Sequence, residues 1–328
     1  MDPLSPSSFN HQFAKVNGIN LHYVDEGTGP AIICVHGFPD LWYGWRNQIP
    51  HLVSLGYRVI VPDVRGYGQS DATKDVKDYS LKSIVNDLVS LLDTLNIREA
   101  VWAGHDWGGN IVWRAALWHP NRVIGVISYC TPYIVTPETY VPLDKFVEKS
   151  PNWSYQLYFR RPETTEELNK ELPTFIRAMF RYYKDAARTS VFNPAVPLDQ
   201  RTIKDVEHLE RSSMFTQEQL DYYVSEFQRN GLEGPLNFYR VHQINWEEER
   251  EAGFLMNKID KPCLMVTSGK DPVLPADRAA HMPKFISDLI QEHVEEAGHW
   301  LLDEQSQQCN DALTKYLKHL EDGGFVKK

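Results

Sequence analysis

Asp106, Asp271 and His299 are the residues of this chain whose types and places could together perform hydrolysis. Asp106 is the centre of Gly104-His105-Asp106-Trp107-Gly108-Gly109, between an apolar run, Ala100–Ala103, and a helix-like run, Asn110–Leu117. A small-x-nucleophile-x-small string between strand and helix makes a sharp turn that pushes its central side chain outward. Serine is the residue usual at that centre. A carboxylate there attacks carbon as an anion, needs no proton removed first, and leaves an alkyl ester on the chain. Asp271 follows the apolar run Cys263–Thr267, in Ser268-Gly269-Lys270-Asp271, and His299 follows a short strand at Glu292–Glu295, in Gly298-His299. A histidine oriented by an acid can draw a proton from water, and that water can cleave the ester.

Each residue alone has an ordinary reading. Asp271 in Gly-Lys-Asp-Pro suits a turn former, and His281 and His293 compete with His299. The joint placement of all three at strand ends favours chemistry, because function in parallel sheets gathers at the carboxyl ends of strands. The loop after the preceding strand, Tyr129–Pro137, holds no carboxylate, which leaves Asp271 as the acid. His36-Gly37-Phe38-Pro39 ends another strand, Ala31–Val35. The amides of Phe38 and of Trp107, the residue after the nucleophile, are the expected oxyanion-binding pair.

The elements that must hold these residues follow from periodicity and punctuation. Residues 11–27 read as a hairpin turning at Asn17-Gly18. Strands are expected at Ala31–Val35, Tyr57–Val61, Val101–Gly104, Val123–Ser128, Cys263–Thr267 and Glu292–Glu295. Helices are expected from Trp45 to Leu55, over Ser80–Leu95 with Ser80 as N-cap, and over Asp311–Leu320. From about Pro132 to Trp246 no buried strand run occurs, and stretches such as Leu172–Phe180 carry helical spacing. The expected architecture is α/β: the α/β-hydrolase fold, a mostly parallel twisted sheet flanked by helices, with an inserted all-helical lid. The segments are a first core part at 1–132, the lid at 133–246 and a second core part at 247–328.

The chain has 328 residues, 42% apolar and 24% charged, which suits a large folded core. Its net charge of −10 disfavours nucleic acid and anionic membrane surfaces. No apolar run is long enough for a membrane anchor, and the polar start Met1–Ser8 is not a secretory signal. The four cysteines form no Cys-x-x-Cys pair and read as buried reduced thiols, consistent with a cytoplasmic setting. The C-terminus carries no peroxisomal Ser-Lys-Leu address. No cofactor or metal is expected, and the assembly is expected to be a monomer or homodimer.

From about residue 12 to 320 the chain resembles the epoxide hydrolases of the α/β-hydrolase superfamily. It is most similar to the soluble type, in the short form without the phosphatase domain. The likeness rests on His36-Gly37-Phe38-Pro39 with Trp42-Tyr43 and Trp45-Arg46, Arg65-Gly66-Tyr67-Gly68, the Gly104–Gly109 turn and Gly298-His299-Trp300. The microsomal type usually has Trp where Phe38 stands. The resemblance implies two lid tyrosines over the nucleophile, Tyr155 in Ser154–Phe159 and Tyr239 in Gly234–Arg240, which composition could not pick from sixteen. It implies a small apolar or aromatic epoxide and water as substrates, bound by Phe38, Trp107, Tyr155 and Tyr239. The nearest rival is a haloalkane-dehalogenase-like hydrolase, in some of which an Asn donor stands in place of Phe38. A fluoroacetate dehalogenase would typically have Arg where Trp107 stands. A slow, ligand-binding α/β-hydrolase is the non-catalytic alternative.

Overall fold

The computed structural model describes residues 1–186 and 189–327. Eight strands form one sheet in the order β1-β2-β4-β3-β5-β6-β7-β8: β1 His11–Val16, β2 Ile19–Glu26, β3 Ala31–Val35, β4 Arg58–Pro62, β5 Ala100–His105, β6 Val123–Tyr129, β7 Cys263–Ser268 and β8 Leu289–Val294. β1, β2 and β4 pair antiparallel, and all other neighbours are parallel. Asn17 and Gly18 both take positive φ, 45° and 82°, as a two-residue hairpin turn requires. β3, β5 and β7 are buried along their whole length, which is why they read as continuous apolar runs.

The core helices are α1 (Ile49–Ser54), α2 (Leu81–Thr94) and α3 (Trp107–Trp118) before the lid, and α11 (Leu301–Glu304) and α12 (Ser306–Asp322) after it. Ser80 caps α2, its hydroxyl accepting from the Ser83 amide. The helix expected from Trp45 to Leu55 is two pieces, a 3-10 turn at Trp42–Trp45 and α1, whose first turn carries Pro50. Proline lacks an N–H and fits only a helix start. β8 begins three residues earlier than its apolar pattern suggested, because it is an edge strand whose polar residues Gln291 and Glu292 still pair with Met265 and Val266.

Between β6 and β7 the described residues form helices and turns: α4 (Leu143–Lys149), α5 (Tyr155–Phe159), α6 (Pro162–Lys170), α7 (Leu172–Met179), α8 (Gln217–Asn230), α9 (Glu233–Asn237), α10 (His242–Glu251) and several 3-10 turns. Buried polar bonds fasten them to the core. The Tyr223 hydroxyl donates to Asp40 (2.7 Å), the Trp42 indole donates to the Tyr222 hydroxyl (2.8 Å), and Arg114 pairs with Glu249 (2.9 Å). Such contacts tie α8 and α10 to the loops that carry the site. No helix among the described residues is long and apolar enough to cross a membrane. All four cysteines are free and buried.

Candidate active site

Asp106 joins β5 to α3 with φ 53° and ψ −121°, a conformation non-glycine residues rarely take. Close packing sustains it: a Cβ on Gly108 would lie 2.0 Å from the Val35 carbonyl oxygen. The Asp106 carbonyl accepts from the Gly109 amide (2.9 Å) and the Thr131 hydroxyl (2.7 Å), which pins the turn to the loop after β6. A Cβ on Gly37 would fall 2.4 Å from Asp106 Oδ1, so only glycine lets the Phe38 loop come this close. The Phe38 amide donates to Asp106 Oδ1 at 2.8 Å, and the Trp107 amide also bonds the carboxylate.

Burial pushes the Asp106 carboxyl up, while the His299 charge and the two amides oppose it; the net direction is upward. His299 sits after β8 with Nε2 3.5 Å from Asp106 Oδ2 and Nδ1 2.9 Å from Asp271 Oδ2. Asp271 sits in the loop after β7, where its Oδ1 accepts from the Val273 (2.8 Å) and Leu274 (3.0 Å) amides. One Asp271 oxygen therefore shapes the turn and the other bonds the histidine. Burial alone would raise Asp271, but the charge and hydrogen bond of His299 and the two amides hold it at about 2. Burial alone would lower His299, but Asp271, then Asp106 and Glu304, hold it at about 9. The competing histidines bond elsewhere, His281 to the Tyr133 carbonyl and His293 to Thr267 and Glu295.

Among the described residues, His105, Cys130 and His299 form a group close enough to share a metal ion. His105 Nε2 already donates to the His299 carbonyl (2.8 Å) and His299 Nδ1 is held by Asp271, so the group serves the histidine loop.

Tyr155 begins α5 and Tyr239 lies in the turn after α9. Their rings meet edge to face with centroids 6.2 Å apart, and Tyr239 lies 5.4 Å from Trp107. Burial raises both phenols, and the Asp106 charge raises them further, so both hydroxyls keep their protons at neutral pH. A cavity of about 400 Å³ has Asp106, Trp107 and Tyr155 in its lining, together with the Arg114–Glu249 pair. The other two expected substrate contacts, Phe38 and Tyr239, are not on that lining. Phe38 packs against Phe159 and Tyr239, each with centroids 5.2 Å away, as an aromatic wall behind the nucleophile. Asn110, Gln156 and Asn245 also line the cavity and were not foreseen.

A family described as alpha/beta hydrolase fold matches residues 30–306. The chain is 38% identical to the bifunctional epoxide hydrolase 2 of Rattus norvegicus over 318 residues, covering 96% of this chain and 57% of that protein. It thus spans little more than half the length of those bifunctional relatives. It is 35% identical to epoxide hydrolase A of Mycobacterium tuberculosis, over 94% of this chain and 98% of that one. The solved epoxide hydrolase A of Mycobacterium thermoresistibile superposes with a TM-score of 0.83 at 34% identity, covering 94% of this chain and 98% of that one. An epoxide hydrolase from an endophytic Streptomyces gives a TM-score of 0.84 at 29% identity, over 96% of each chain.

Proposed function

Because the chain belongs to the epoxide hydrolases within the α/β-hydrolase fold family, we propose that it converts an epoxide and water to a vicinal diol through an alkyl ester on Asp106. One observation carries this reading: the two Asp106 oxygens have different surroundings. Oδ1 is held by the Phe38 amide, whereas Oδ2 faces His299 Nε2 at 3.5 Å. Oδ2 is then the attacking atom, and Oδ1 becomes the ester carbonyl oxygen, already held by the Phe38 amide.

Tyr155 and Tyr239 hold the epoxide oxygen by hydrogen bonds while Oδ2 attacks a ring carbon from the opposite face. The C–O bond breaks, and one phenol passes its proton to the developing alkoxide and becomes a tyrosinate, a transfer favoured as the Asp106 charge that helps to raise the phenols is lost in the ester. Water then gives a proton to His299, held by Asp271, and its oxygen adds to the ester carbonyl carbon. The Phe38 and Trp107 amides bind the tetrahedral oxyanion. Collapse expels the diol, whose leaving oxygen takes the His299 proton, and the proton of the added hydroxyl, lost as Asp106 is restored to a carboxylate, returns through solvent to the tyrosinate left by ring opening. Phe38 offers no side-chain donor for a leaving halide, whereas two phenols suit a leaving oxygen.

The test is a single turnover in heavy-oxygen water with a styrene-type epoxide. The first diol should be unlabelled, because its new oxygen comes from Asp106, and label should enter the carboxylate. Labelled first-turnover diol would mean direct attack by water. Asp106→Ala should form no diol, and a panel of epoxides with chiral diol analysis gives the substrate range.

A further inference from the structure

The cavity holds hydrogen-bonding groups that the ring-opening chemistry does not use. Asn110 lines it, and its side-chain amide has no partner among the described residues; its backbone N–H bonds the Asp106 carbonyl at 3.4 Å. Asn245 lines it from α10, with its Oδ1 fixed by the Leu81 amide at 2.8 Å. That bond commits the oxygen and leaves the Asn245 Nδ2 donors without a partner among the described residues. Apolar walls surround them, including Ile134, Leu143 and Phe146. Polar groups placed singly in an apolar pocket fix which ligand it takes and in what orientation.

The charged pair in the same lining offers nothing to an anion. Arg114 Nε is bonded to Glu249 (2.9 Å) and Nη2 to the Ile134 carbonyl (3.0 Å), while its unpartnered Nη1 is closed off from the cavity. Glu249 repels a carboxylate. The free donors are therefore neutral amides. Asn110 lies close to Asp106 in the chain and in space, its backbone N–H 3.4 Å from the Asp106 carbonyl oxygen.

Resting on the epoxide hydrolase reading, we infer that Asn110 and Asn245 select epoxides carrying an uncharged oxygen function, hydroxyl or carbonyl, beyond the ring. Asp106 and Asn110 line the same cavity, so an oxygen function a few bonds beyond the attacked carbon can meet the Asn110 amide. This narrows the apolar or aromatic substrate expected from the sequence to a functionalised one. Asn110 acts here on specificity, not on the bond-making steps.

The experiment compares a terminal epoxyoctane with analogues bearing one hydroxyl on the third, fourth or fifth carbon beyond the ring. kcat/KM should peak at one hydroxyl position, and Asn110→Leu should cut that peak, relative to the alkyl epoxide, by about five- to ten-fold, the worth of one neutral hydrogen bond. Asn245→Leu should shift or flatten it, and Asn110→Ser, which keeps a donor, should retain part of it. A profile without a peak, or a peak that survives both leucine variants, overturns the inference. Equal losses for alkyl and hydroxylated epoxides also overturn it, because they mark a structural role. Binding of the corresponding diols, read by tryptophan fluorescence, separates the two claims. Selective diol binding without turnover of any epoxide upholds the pocket and refutes the hydrolase reading; turnover with unselective binding does the reverse.

Discussion

Neutralising Asp106 should turn His299 from an acid into a base. In the resting site His299 is held at about 9, with Asp106 Oδ2 3.5 Å from its Nε2. At neutral pH it is an imidazolium and cannot take a proton from water. Once Asp106 is alkylated its charge is gone, and so is one of the influences that keep the proton on. Across 3.5 Å a unit charge pair is worth about 1 kcal/mol in water and about 5 kcal/mol at an effective dielectric of about 20, which is roughly one to three pKa units. The histidine should then titrate between about 6 and 8, near the value that suits a general base.

Asp106→Asn reproduces that loss of charge with little change of shape. The titration of the His299 ring protons, followed by NMR in the native enzyme and in this variant, should show a drop of at least about one unit, by the same arithmetic. A second reading comes from stopped-flow tryptophan fluorescence of the native enzyme, since Trp107 adjoins the ester. Hydrolysis of the ester should be nearly flat above about pH 8. An unchanged His299 titration in Asp106→Asn, or an ester hydrolysis rate that climbs about ten-fold per pH unit up to pH 9, would refute the reasoning.

His299→Gln should leave alkylation intact and block hydrolysis, so intact mass should gain one substrate per chain; fast alkylation with no adduct would remove His299 from the second step. The Asp271–His299 pair has a pH window set by its two shifts. Asp271, held at about 2, contributes stability that is complete above about pH 4 and lost as pH falls through about 2, while His299, at about 9, contributes stability complete below about pH 6.5 and lost as pH rises through about 9. Asp271→Asn should therefore cost the most, on the order of 2 kcal/mol, between about pH 4 and 6.5, and a denaturant midpoint difference that peaks outside that window would contradict the assignment. Gly108→Ala drives a Cβ to 2.0 Å from the Val35 carbonyl, which should cost about 3 kcal/mol or more and be visible as a lowered denaturation midpoint.

The legible parts of the site were those where backbone geometry dictates composition. The turn at Asp106 needs glycine at Gly104 and Gly108 because the strand, the helix start and the Val35 carbonyl crowd it, and that need is written in the sequence. Asp271 was legible as a turn former, and the turn brings its second oxygen to His299. β8 was misplaced at its start, since an edge strand does not need an apolar run to pair. The segment between β6 and β7 was legible as an interruption of strands and, at Leu172–Phe180, by helical spacing that α7 matches; the bonds that hold it to the core, such as Tyr223 to Asp40, leave no periodic mark. Tyr155 and Tyr239 lie far apart in the chain and meet only when α5 and the turn after α9 fold over the elbow. Nothing local distinguishes them, and only the family resemblance singled them out. Asn110 was hidden for the opposite reason, since a polar residue on an otherwise buried helix reads as surface until the lid makes that face a cavity wall.

In the proposed reaction, a single charge would couple the carboxylate, the two phenols and the imidazole. The Asp106 carboxylate raises the phenols of Tyr155 and Tyr239 and also contributes to raising His299. Before attack, this keeps the tyrosines protonated, ready to donate, and keeps the histidine charged, unable to act on water. Alkylation converts the carboxylate to a neutral ester, and both effects lapse together. The phenols become stronger acids as the alkoxide forms, and the imidazole becomes a base as the ester that it must help hydrolyse appears. The order of the two half-reactions then follows from electrostatics within one buried cluster, without any movement of the lid. A serine at the same elbow would lack this property, because its neutral hydroxyl needs the histidine as a base from the start. Replacing serine by Asp106 therefore changes when His299 works, as well as what bond is made.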